Sequence, residues 1–67
     1  MAIARITELT SSSTKSFDDA LQAGINRATQ TLKNVSGAWV QNQEVVITDN
    51  RISEYRLRLK VTFILND

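Results

Sequence analysis

The last quarter of the chain alternates so strictly that only one conformation fits it. Tyr55, Leu57, Leu59, Val61, Phe63 and Leu65 are apolar or aromatic, and Glu54, Arg56, Arg58, Lys60 and Thr62 fall between them. A period of two sustained over this distance is a β-strand with one face buried and one face not. The predicted strand covers residues 51–66, and sixteen residues at about 3.3 Å each reach about 50 Å. Its nearest partner precedes it. Residues 38–48 read as a second strand, and Asp49-Asn50 lie between the two. Asp and Asn tolerate the positive φ angles of a tight two-residue turn, so residues 38–66 are expected to form a hairpin.

A helix is expected to cover the apolar face. Ser16 precedes Phe17-Asp18-Asp19, the pattern of an N-cap followed by acids that suit the helix dipole. From there Phe17, Leu21, Ile25, Ala28, Leu32 and Val35 recur at steps of three and four, which places them on one stripe. Ala20 and Gly24 lie beside that stripe and would let a sheet approach closely. Lys33 suits the C-terminal end of the dipole, and Ser36-Gly37 supplies a stop. Residues 2–9 carry β-branched residues in loose alternation and read as a first strand, without showing which of its faces is buried. Residues 10–15, Thr-Ser-Ser-Ser-Thr-Lys, read as a polar connector into the helix. A phosphate site is the other use for such a run, but no glycine-rich pattern accompanies it. The fold class is therefore α+β. One domain over 1–67 runs β–α–β–β, with a three-stranded antiparallel sheet wrapped on one helix.

Composition decides what must support so small a core. With 67 residues, burial and chain entropy nearly cancel, at about 1.5 kcal/mol of ordering cost per residue. The chain has no Cys and no His, so disulfides, thiolate or imidazole metal sites and the Ser–His and Cys–His catalytic pairs are all excluded. Self-association is the remaining support, and one helix leaves the second sheet face uncovered. A closed homo-oligomer is expected. The net charge of +1 gives no strong attraction to nucleic acid or to acidic membranes. No apolar run approaches a membrane span, and the N-terminus lacks the pattern of a signal peptide, so a cytoplasmic location is expected.

The second face carries Arg56, Arg58 and Lys60 in a row. Glu8, Glu44 and Glu54 are near enough in the strand plan to neutralise them, which argues against a nucleic-acid groove. Asp18-Asp19 is explained by capping and not by acid–base chemistry. No catalytic residue is expected. Trp39 shares its parity with Gln41 and Gln43, which puts a large indole on this less apolar side as an interface anchor or a stacking platform.

The chain resembles the dodecin family over nearly its whole length. The resemblance rests on Ile6-Thr7-Glu8-Leu9 with the Ser/Thr run after it, and on Ala20, Gly24, Arg27-Ala28 and Thr31-Leu32 in the helix. It continues through Gly37-Ala38-Trp39-Val40, Glu54-Tyr55-Arg56-Leu57 and Lys60-Val61-Thr62-Phe63. It implies a hollow homododecamer with helices outside and sheets inside, which binds and stores flavin, FMN or riboflavin, without catalysis. Coenzyme A is a further ligand implied by the resemblance. In flavin-binding members a Trp of the second strand stacks on the isoalloxazine ring, and a Gln of the third strand bonds its pyrimidine edge.

Two positions depart from that pattern. The family Trp position falls on Gly37, and Trp39 lies one strand period further on, about 6–7 Å along the same face; a bulge before it could restore the position. The family Gln position falls on Arg56, which donates only, so the flavin N–H loses an acceptor. Trp39, Arg56 and Gln41 are the candidate flavin contacts, with Glu8, Arg58 and Lys60 as charges of an interior or interface. The alternative is a flavin-free assembly that takes another ligand or a small ion, with Trp39 as interface anchor.

Overall fold

The computed structural model describes residues 3–65, so the expected strand ends at residues 2 and 66 lie outside the described residues. The order is β1 (Ile3–Ser13), α1 (Phe17–Thr31), β2 (Val35–Thr48) and β3 (Arg51–Leu65). The three strands form one antiparallel sheet in the order β1-β3-β2. β3 is the central strand, which is why its alternation is the cleanest: both its edges are paired and only its two faces differ. The molecule extends 51 Å along its long axis, matching the span expected of that strand.

The register argument for β3 holds. Leu57, Leu59 and Val61 face α1 and are buried, Phe63 is half-buried, and Tyr55 meets Phe17 edge-on with ring centroids 5.1 Å apart. Asp49 and Asn50 both have positive φ, 52° and 63°, as the two central residues of a tight hairpin turn require.

Three expectations are corrected. The polar run after residue 9 is not a loop as far as Ser13. Ser11, Ser12 and Ser13 pair with Leu57, Arg56 and Tyr55 and continue β1. Their hydroxyls hold the helix entry: Ser11 Oγ donates to the Ala20 carbonyl at 2.7 Å and Ser13 Oγ to Asp19 Oδ2 at 2.7 Å. Ser16 is the N-cap, its Oγ accepting from the Asp19 N–H at 3.0 Å.

The helix also ends earlier than its stripe suggested. It stops at Thr31, and Asn34 adopts a left-handed φ of 61°. Val35 then pairs with Phe63 as the first residue of β2, so Lys33 and Ser36-Gly37 lie outside the helix. A β-branched residue opposite a half-buried Phe gains more from the sheet than from a further helical turn.

The contact stripe, finally, is centred on small residues. Ala20, Gly24 and Ala28 are the buried helix positions, while Leu21 is exposed and Ile25 half-buried. A Cβ on Gly24 would stand 2.7 Å from Leu59 Cδ1 and 3.1 Å from Ser11 Cβ. The helix therefore sits close over β1 and β3 and barely touches β2. Leu21 and Ile25 border an open groove with Val35 and Ala38 of β2.

Candidate functional site

The site is the sheet face turned away from α1. Residues paired across an antiparallel sheet point to the same side, so the register assigns its rows. Thr62 lies between Ile6 and Gly37; Lys60 between Glu8 and Trp39; Arg58 between Thr10 and Asn42; Arg56 between Ser12 and Glu44. One end of this face is apolar and the other charged, a division that alternation within β3 alone does not reveal. Ile6 is 56% exposed and Trp39 44% exposed. Gly37, one row along from Trp39, has open space where a side chain would stand. The indole thus borders a bare stretch of backbone, with no side chain of its own strand between them on that face.

The two irregularities of β2 that shape this site come at Ser36 and Gln41, which have no counterpart on β3. A bulge inserts one residue and shifts the alternation beyond it. The expected common parity of Trp39, Gln41 and Gln43 is therefore broken. Gln41 is the inserted residue, and Gln43 pairs with Leu57 on the helix side. Asn42 and Glu44 take the places on the site face instead. The bulge at Ser36 leaves Gly37 and Trp39 on one face, in the rows of Thr62 and Lys60, so the indole remains one row from the glycine.

The cations are paired as their neighbours suggest. Arg56 Nη2 donates to Glu54 Oε1 at 3.1 Å, and its Nη1 lies 3.9 Å from Glu44 Oε1. Glu8 serves both other cations, with Oε1 3.7 Å from Arg58 Nε and Oε2 3.9 Å from Lys60 Nζ. Three carboxylates offset three cations on the open face. Trp39 and Arg56 do not meet within one chain. Their rows are four β3 residues apart, about 13 Å. Among the described residues no three acidic side chains converge as a metal site, and no helix is long and apolar enough to cross a membrane.

The family model for dodecin matches residues 3–66. This chain belongs to the dodecin family. Solved dodecins have the same fold: dodecin from Streptomyces davaonensis is 32% identical, with 98% of this chain and 97% of that chain covered and a TM-score of 0.91. Dodecin from Streptomyces coelicolor is 27% identical, covering 98% and 94% of the two chains, with a TM-score of 0.92. A point variant of the Thermus thermophilus dodecin is also 27% identical, over the full length of both chains, with a TM-score of 0.92. Comparison by sequence with the curated proteins gives no significant match. Dodecins are small, oligomeric binding proteins, and both properties suit a sheet with one face bare.

Proposed function

We propose that this dodecin binds and stores a flavin, riboflavin or FMN, on the inner sheet face of a homododecamer, and that it catalyses no reaction. The observation that carries this reading is Trp39: a half-exposed indole on the uncovered face, beside the open backbone of Gly37. An aromatic surface with a flat, unobstructed neighbour is a stacking platform for a planar ring. The apolar end of the face, with Ile6 in the adjacent row, suits the hydrocarbon edge of such a ring. Arg56 is the polar contact at a distance a second copy can close. Gln41, the inserted residue of a bulge, is the weaker of the two polar candidates. Assembly brings copies of the bare face together and covers it.

Stacking on indole quenches flavin fluorescence. Titrating riboflavin or FMN into the purified oligomer is expected to quench it, and Trp39→Ala is expected to remove the quenching while light scattering shows the oligomer intact. Absence of quenching at high micromolar flavin, with the assembly intact, would favour the flavin-free assembly in which Trp39 anchors an interface. The ion pairs of Arg56, Arg58 and Lys60 would then serve subunit contacts or a small-ion site. The same titration with coenzyme A in competition tests the further ligand that the family suggests.

A further inference from the structure

Most of the exposed aliphatic surface of this chain lies on the helix side of the sheet, not on the open face. Among the described residues nine large hydrophobics are at least 36% exposed, and of these Ile6 and Trp39 stand on the open face. Leu21, Val40, Val45, Ile47 and Ile52 lie on the other side, along β2. The β2 residues that share the helix side run Val35, Ala38, Val40, Gln43, Val45 and Ile47, an apolar row with one polar member. Because α1 sits over β1 and β3, this row has no cover of its own. Among the described residues Leu57, Leu59 and Val61 are the large side chains fully buried within the chain, fewer than it leaves out. Such a fold is part of a core, as in obligate interfaces that resemble a domain core cut in two.

The two ends of the row differ in shape. At one end Val35 and Ala38 floor an open groove of about 520 Å³, walled by Leu21 and Ile25, with no charged residue on its lining. At the other end the hairpin overhangs the helix. α1 begins at Phe17, against Tyr55, and Ile52 lies three residues further on, about 10 Å. Ser53 has no counterpart on β2, and this inserted residue brings Ile52 round to the side of Ile47, its partner across the hairpin. The tip is thus a finger with Val45, Ile47 and Ile52 on one side and nothing over them. Ala38 and Ile47 are nine residues apart along one strand, about 30 Å, so no chain can fold its tip into its own groove.

We propose that the hairpin tip of one copy seats in the α1–β2 groove of a second copy, with Val45, Ile47 and Ile52 packed over Ala38 and between Leu21 and Ile25. Each chain then supplies the aliphatic layer that its neighbour lacks. Branched side chains meet a floor kept low by Ala38, and neither surface brings a charge that must be desolvated. Tip and groove are different patches, so the contact is heterologous and must close into a ring. The proposal rests on self-association of the chain and not on the flavin reading.

The chain has no cysteine, so introduced thiols report the contact directly. The double variant Ala38→Cys/Ile47→Cys, treated as the intact oligomer with a short bismaleimide, should give covalent multimers on a denaturing gel. Each single variant should stay at the mass of one chain. Cross-linking by Ile47→Cys alone would mean that tip meets tip, and it overturns the proposal. So does a double variant that assembles normally by light scattering and does not cross-link, and that result leaves self-association standing. A second measurement needs no substitution. Hydroxyl-radical labelling of the wild-type oligomer should leave Leu21, Ile47 and Ile52 as protected as the buried Leu57. Labelling of Ile47 and Ile52 several times faster than Leu57 overturns the proposal whatever the variants do. A folded wild-type monomer overturns the assembly and this contact together.

Discussion

Gly24 sets how near the helix can come to the sheet. Its missing side chain leaves room that Leu59 Cδ1 and Ser11 Cβ already fill, and Leu59 is fully buried with nowhere to retreat. Gly24→Val should lower stability by about 1–3 kcal/mol, the range for overpacking a filled core, as read from the midpoint of thermal or denaturant unfolding. An unchanged midpoint would mean the helix can lift from β1 and β3 without loss. Ala20, Gly24 and Ala28 were present in the sequence as a stripe of their own, but weighting by hydrophobic size favours Leu21 and Ile25. Small side chains signal close approach, not burial of bulk, and periodicity alone does not rank the two. At the site, the ion partners of Arg56, Arg58 and Lys60 were legible from charge and strand order, whereas their pairing distances were not.

At the scale of elements, local chemistry determined the turn and tertiary pairing determined the boundaries. Asp49 and Asn50 announced a two-residue hairpin, and both take left-handed conformations. Asn50→Ala should therefore cost about 1 kcal/mol, because a Cβ without a compensating side-chain bond disfavours that region, while Asn50→Gly should be neutral or stabilising. Equilibrium unfolding of the two variants checks the sign. The helix end and the Ser/Thr run, in contrast, were misplaced because β3 is long enough to recruit them. Ser11–Ser13 have low strand preference, yet β3 offers Leu57, Arg56 and Tyr55 opposite, and pairing prevails. The bulges of β2 leave no mark in a simple alternation count. A break such as Val45-Val46-Ile47 hints at one without saying where the extra residue lies, and so alternation does not show that Gln43 turns to the helix side while Asn42 and Glu44 take the open face.

For the whole molecule, the uncovered apolar surface sets the oligomeric state. Leu21, Val40 and Val45 on the helix side, Ile6 and Trp39 on the open face, and Ile47 and Ile52 near the hairpin tip are all substantially exposed in the single chain. Light scattering on the purified protein should give a particle many times the 7.5 kDa chain mass, stable on dilution to micromolar concentration. A folded monomer at that concentration would contradict the proposed assembly. The fold of the protomer was readable from 67 letters because β3 alternates; which surfaces meet in the assembly was not, because both faces contribute apolar side chains.

The bulges have one more effect, at the sheet's rims. β1 runs beside β3 for eleven consecutive pairs without interruption, whereas β2 is interrupted at Ser36, at Gln41 and again opposite Ser53. A filament grown by stacking sheets rim to rim needs two straight rims that match, and this protein has only one. Heat-stressed protein should accordingly precipitate without thioflavin-positive fibres. Fibre growth would show that the irregular rim straightens. The insertions that turn Glu44 towards the open face thus also deny the sheet a second template, and one local distortion both shapes the site and closes a route to runaway polymerisation.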